Sequence, residues 1–149
     1  MGSTTDIFTD AFRRHEEAVR GSFQTILPDV RRAADIIVGA IQGGGKLLAC
    51  GNGGSAADAQ HFVAEFLCKY KSDRRPLAAI ALTVNTSVIT AIGNDYGFDE
   101  VFKRKVEALG VEGDVLMAIS TSGKSPNVLR AMEEARKRGM KVIALTGGT

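Results

Sequence analysis

The chain has 149 residues, enough for one domain with a buried core, and its 44% hydrophobic and 24% charged shares are those of an ordinary globular protein. Nineteen Lys and Arg are interleaved with seventeen Asp and Glu for a formal charge of +2, too small a surplus to point to nucleic acid. No stretch is long and apolar enough to span a bilayer, and the amino terminus lacks a basic-then-apolar leader, so the expected location is the cytoplasm.

Met1-Gly2 followed by Asp6 misses the myristoylation pattern. Phe8, Phe12, His15, Val19, Phe23 and Ile26 recur every three or four residues and predict an amphipathic helix over 6–27. A second helix starts near Pro28, a residue suited to a first turn, and stops at Gly43-Gly44-Gly45. From there the pattern changes to short apolar runs at 46–50, 78–82, 115–119 and 141–145, each ending in a loop of small polar residues. Helical stretches at 56–69, 86–92, 99–109 and 126–138 separate them. This alternation predicts a parallel α/β sheet covered on both faces, with a helical segment at 1–45 and the α/β domain at 46–149.

Charge runs such as Lys103-Arg104-Lys105 and Glu133-Glu134 read as solvated helix faces. Cys50, inside Leu47-Leu48-Ala49-Cys50, reads as a small core residue in a reduced compartment, and it makes no C-x-x-C pair with Cys68.

In open parallel sheets the ligand sits beyond the carboxyl ends of the strands. Three loops fall there: Gly51 to Ser55, Thr83 to Thr86 with Gly93-Asn94-Asp95 past the next short helix, and Ser120 to Ser125. The last offers the hydroxyls of Ser120, Thr121, Ser122 and Ser125, with Gly123 allowing close approach and Pro126 opening a helix whose amino end favours an anion. A phosphate fits that pattern; the alternative is that Ser125 only caps the helix. Gly51, Gly53 and Ala56 fit a relaxed dinucleotide fingerprint, but its acidic partner would have to be Asp73, which lies in a charged loop ahead of a strand. A turn presenting backbone N–H groups to a sugar is the better reading. His61 and Glu65 stand four residues apart on one helix face, where they can share a divalent metal, provide a general base, or simply form a surface hydrogen bond.

Three blocks in register carry a family resemblance: Leu48 to Phe62, Thr90 to Gly97, and Ser120 to Asn127. Together they resemble the phosphoheptose isomerases of the sugar isomerase (SIS) domain group, over about residues 6–149. The resemblance implies a SIS-type, flavodoxin-like three-layer sandwich with N-terminal helices. It implies that Asn52, Gly53, Gly54 and Ser55 contact substrate, that Asn94 and Asp95 hold sugar hydroxyls, and that Ser120, Thr121, Ser122 and Ser125 bind its phosphate. His61 and Glu65 become zinc ligands, with Glu65 also touching substrate as the catalytic base. The implied reaction converts sedoheptulose 7-phosphate to D-glycero-D-manno-heptose 7-phosphate through an enediolate, toward activated heptose for lipopolysaccharide or other surface glycans, in a homotetramer with sites at subunit interfaces. Family members continue beyond the position of Thr149 with a further helix, a strand and a long final helix, a region whose Gln and His complete the metal site; against that pattern the last strand and C-terminal helix lie outside these residues, and if the 149 residues are all that exists the site is half-built. Two other functions share these blocks: a non-catalytic SIS scaffold for a partner such as the replication initiator, and a sugar-phosphate sensor.

Overall fold

The computed structural model describes residues 4–147, so the readings made on Met1-Gly2 and Gly148-Thr149 lie outside the described residues. The chain divides into two compact units, Met1–Asp35 and Ile36–Thr149, whereas the sequence reading puts the division at 45/46. The first unit holds helix α1 (Thr4–Thr25) and the start of α2 (Leu27–Gln42). Its helices carry one-turn salt bridges, among them Arg13 with Asp10 and Glu17, Arg14 with Asp10, Arg20 with Glu16 and Arg32 with Asp29, while Ile7, Phe8, Phe12, Val19 and Phe23 are 54–77% exposed.

The second unit contains a four-stranded sheet: β1 (Leu47–Gly51), β2 (Ala79–Ala81), β3 (Val115–Ser120) and β4 (Lys141–Thr146), in the order β2-β1-β3-β4, all parallel. The helices are α3 (Gly54–Leu67), α4 (Thr86–Tyr96), α5 (Val101–Leu109), preceded by a short 3-10 turn at Phe98–Glu100, and α6 (Pro126–Lys137). β1 and the buried part of β3 are apolar without alternation because both sheet faces are covered. Leu48, Cys50, Leu116 and Ala118 pack with Val101, Phe102 and Val106 of α5 and Val128, Ala131 and Ala135 of α6. Alternate residues of β1 point to the opposite face, where α3 lies on the sheet and buries Ala59 and Val63. Each large aliphatic side chain buried this way contributes about 1.5–3 kcal/mol. The layers are therefore helix, sheet, helix, as expected.

Cys50 is fully buried, and burial pushes its thiol pKa up to about 12, which makes it an inert core residue. The charged run on α5 needs correction. Lys103 lies beside Glu100 and Glu107 and Arg104 stacks over the Tyr96 ring, but Lys105 is only 7% exposed. Positions 101, 102, 105 and 106 share the inward stripe of the helix, so periodicity carries this lysine inside despite its charge. Its ammonium donates to Leu82 O at 2.7 Å and Val84 O at 2.8 Å, and loss of hydration lowers its pKa.

The amino ends of β1 and β3 are joined by a polar cluster. Asp114 is buried and accepts from Lys46 N at 2.9 Å, Lys46 Nζ at 2.5 Å and Val111 N at 2.9 Å. Burial alone would raise the carboxyl pKa; the Lys46 ammonium and the two backbone donors outweigh it and hold Asp114 below its ordinary value. A group with a depressed folded pKa contributes stability that is complete above its unfolded pKa and is lost as pH falls through the folded value. Asp114→Asn should therefore cost about 1.5–3 kcal/mol at neutral pH, the range for hydrogen bonds to a charged group. Urea unfolding of both forms from pH 7 to pH ~3 checks this: the gap should close toward acid, and a gap independent of pH would contradict the assignment.

Candidate active site

β1 pairs on one side with β2 and on the other with β3, so the strand order reverses direction at β1. Gly51 lies opposite Ile119, and the loops leaving β1 and β3 emerge side by side at this switch point, the place where open α/β sheets bind ligands.

The β1 loop is shaped by glycine. A side chain at Gly51 would bring its Cβ within 2.7 Å of Ser55 O and 2.8 Å of Ser55 Cβ, so the chain folds back on itself there as only glycine permits. Gly53, with φ +54° and ψ −122°, precedes α3 and leaves its amino end without a side-chain cap. Ser55 is buried in the first turn, and Gly54 is exposed beside it.

In the β3 loop, Ser120 is buried and its hydroxyl is 3.1 Å from that of Ser125. Gly123 N–H donates to Ser120 O at 3.1 Å and closes the turn, Ser122 Oγ accepts from Lys124 N at 3.2 Å, and Thr121 is exposed at the rim. The helix-cap alternative for Ser125 is not realised. Ser125 stands at the N-cap of α6 without a side-chain cap bond, and its hydroxyl turns to Ser120 instead. Ser120, Ser122 and Ser125 thus gather around the amino end of a twelve-residue helix, where the dipole favours an anion.

The two loops are joined by side chains. Asn52 Nδ2 donates to Asn127 Oδ1 and Asn127 Nδ2 donates to Asn52 Oδ1, both at 2.9 Å. Asn127 is 2% exposed, and its oxygen also accepts from Val128 N at 2.9 Å. Sequence reasoning quoted Asn127 within a motif and gave it no role. The sequence offered no signal for it beyond an amide in the second position of a helix, next to a polar loop.

On α3, His61 Nε2 is 3.5 Å from Glu65 Oε1; the histidine side chain is 81% exposed and the glutamate 34%. The pair is thus brought together at the predicted spacing. Arg74 was also missed, having been read as part of a charged loop. It caps the far end of the same helix, donating to Phe66 O at 2.9 Å and to Glu65 O, and so favours the negative pole of its dipole.

The third group is more distant in contact. Thr83 Oγ1 reaches Ala56 O at 3.5 Å, which links the turn after β2 to α3. Gly93, Asn94 and Asp95 lie inside α4, which runs on to Tyr96, rather than in a loop past a shorter helix. Asn94 Nδ2 donates to Asp95 Oδ1 at 2.8 Å, both residues are exposed, and Asp95 borders a cavity of about 600 Å³ with Ile80, Leu82, Ile92 and Lys105. Among the described residues, no hydrogen bond joins them to the β1 or β3 loops. Asp73 is exposed in the loop ahead of β2, so the dinucleotide fingerprint lacks its strand-end acid.

Fold and site define a parallel α/β domain with two loops of small polar residues side by side at its switch point. Residues 12–147 match the SIS domain family. The phosphoheptose isomerase of Bordetella avium (strain 197N) is 56% identical over 143 residues, covering 96% of this chain and 73% of the relative. That of Bradyrhizobium sp. (strain ORS 278) is 60% identical over 122 residues, covering 82% and 62%. The solved structure of the phosphoheptose isomerase from Francisella tularensis superposes with a TM-score of 0.96 at 44% identity, covering 99% of this chain and 78% of the other. The Neisseria gonorrhoeae enzyme gives 0.92 at 47%, covering 98% and 76%. The chain belongs to the SIS domain family and, within it, to the phosphoheptose isomerases.

The Gly51 turn makes a direct prediction. Gly51→Ala should destabilise the fold by about 1–3 kcal/mol, because the backbone of Ser55 must give way. Gly54→Ala, where nothing lies within 4 Å of the added carbon, should be nearly neutral. Thermal unfolding of the two variants checks the contrast, and equal losses would contradict this account of the turn.

Proposed function

We infer that this chain isomerises a phosphorylated ketose, sedoheptulose 7-phosphate, to the aldose D-glycero-D-manno-heptose 7-phosphate, supplying activated heptose for surface glycans. The observation that carries this reading is the meeting of the Ser120–Ser125 cluster with the Asn52 loop at the switch point, in a chain so similar to phosphoheptose isomerases. The chain spans 62–73% of the length of the two relatives described, so the activity belongs to the site as these residues build it and to whatever completes it.

In this reading the phosphate is held by Ser120, Thr121, Ser122 and Ser125 at the amino end of α6, remote from the reacting carbons, so that its binding energy positions the sugar. Asn52, Gly53, Gly54 and Ser55 line the sugar chain, and Asn94 and Asp95 contact its hydroxyls. Glu65 removes the carbon-bound proton next to the carbonyl and returns it to the neighbouring carbon through an enediolate.

His61 and Glu65 also suit zinc, an imidazole nitrogen and a carboxylate oxygen being two of the ligands of a tetrahedral site. Among the described residues no cluster of three or more His, Cys, Asp or Glu is assembled that could hold an ion, so the remaining ligands must come from elsewhere. A bound zinc would supply polarisation of the sugar oxygens.

The exposed apolar face of α1 supports self-association, for which we propose the homotetramer. Replacing Phe12 and Phe23 by Asp should shift the sedimentation coefficient to that of a smaller species; an unchanged coefficient would count against that face. No helix among the described residues is long and apolar enough to cross a membrane, and both cysteines are free, which supports the cytoplasm as the site of reaction.

The deciding experiment follows solvent deuterium entering the substrate at the carbon next to the carbonyl. Glu65→Gln should slow exchange by about two to four powers of ten, the usual worth of a positioned base, with binding of the phosphorylated sugar largely kept. Joint replacement of Ser120, Ser122 and Ser125 by Ala should instead weaken phosphorylated sugars and spare unphosphorylated ones. Wild-type exchange in Glu65→Gln would remove Glu65 from the role of base, and equal losses for both kinds of sugar would remove the serines from the phosphate.

A further inference from the structure

The reciprocal pair between Asn52 and Asn127 does more than join two loops. Val128 N–H, shared with Ser125 O at 3.1 Å, also donates to Asn127 Oδ1 at 2.9 Å, and because an N–H can be accepted only by oxygen this contact sets which end of the Asn127 amide is which. With its oxygen turned to Val128 and to Asn52 Nδ2, Asn127 must offer its NH₂ to Asn52 Oδ1. The polarity of one amide thereby dictates the polarity of the other. An isolated asparagine side chain can rotate by half a turn and exchange donor for acceptor; this one cannot do so without setting NH₂ against NH₂ and oxygen against oxygen. Asn127 is almost fully buried, whereas Asn52 is half-buried and retains one N–H and one oxygen lone pair beyond the pair.

We propose that Asn127 is a positioning residue: it fixes the direction in which Asn52 donates and accepts toward the sugar, and so sets affinity for the sugar rather than for its phosphate. The proposal rests on the isomerase reading for the identity of the ligand, but the geometry that carries it is independent of that reading. The amino end of α6 then serves two purposes at once. Its dipole and hydroxyls face an anion, while its Val128 N–H, relayed through Asn127, orients an amide on the neighbouring loop.

The test uses Asn127→Leu, which keeps the size and removes both hydrogen-bonding ends without adding charge, and Asn127→Ala in case the branched side chain disturbs folding. Calorimetric titration with inorganic phosphate and with sedoheptulose 7-phosphate reads the two parts of the ligand separately. The Kd for phosphate should stay within about threefold, and that for the sugar phosphate should rise about tenfold, the worth of one lost hydrogen bond. In ¹H–¹⁵N spectra the Asn52 side-chain amide proton that bonds Asn127 should exchange slowly with solvent in wild type and rapidly in either variant. A folded variant that loses both ligands equally, or that leaves the Asn52 signals unchanged, would overturn the proposal. Wild type that binds the sugar phosphate no better than phosphate would count against the isomerase reading alone, and the Asn52 signals would still decide the role of Asn127.

Discussion

Backbone pairing of Leu47 to Gly51 with Val115 to Ile119 is the constraint on which the remainder of this molecule depends. It brings together two strands that are far apart in sequence, buries both on two faces, and delivers their loops to the same place. Polar interactions finish the seam at both ends. Below it, Asp114 gathers Lys46 and the Val111 N–H; above it, Asn52 and Asn127 close an amide ring. The apolar interior between them supplies the bulk of the stabilisation, and the polar ends fix register, because a slip of one residue would break both clusters and turn every side chain to the wrong face.

The same seam anchors both loops of the candidate site. The proposed phosphate end rests on Ser120, which is the last residue of β3, and on the turn that the Gly123 N–H closes onto Ser120 O. The proposed sugar end rests on a loop folded tightly over Gly51 and tied to α6. The helix bearing His61 and Glu65 starts from that loop and is capped at its far end by Arg74, so both of its termini are held. Lys105 does a comparable job for the turn after β2, whose carbonyls would otherwise face the interior unpaired.

Much of this was legible in the sequence, for stated physical reasons. Uninterrupted apolar runs such as Val115 to Ile119 report a strand buried on both faces, and the clustered hydroxyls of Ser120 to Ser125 stand, as expected, at the amino end of a helix. The family blocks supplied the proposed roles of His61 and Glu65, which spacing by itself left open. What stayed hidden depended on tertiary neighbours. Lys105 looked solvated because its two acceptors lie more than twenty residues away, and Asn127 looked like an ordinary helix residue because its partner is seventy-five residues distant. Arg74 sat in a charged loop that gave no hint of a helix end to cap. The extension of α4 through Asn94 and Asp95 was missed because Gly93 reads as a breaker, and a helix that continues through it keeps those two polar residues exposed on its surface.

In the proposed function one ligand spans the β1 and β3 loops, which a titration with sedoheptulose 7-phosphate followed by backbone amide shifts can test. Gly53 to Ser55 and Ser120 to Lys124 should shift together with a single binding curve. Shifts confined to one loop, or centred on the cavity between α4 and α5, would contradict it.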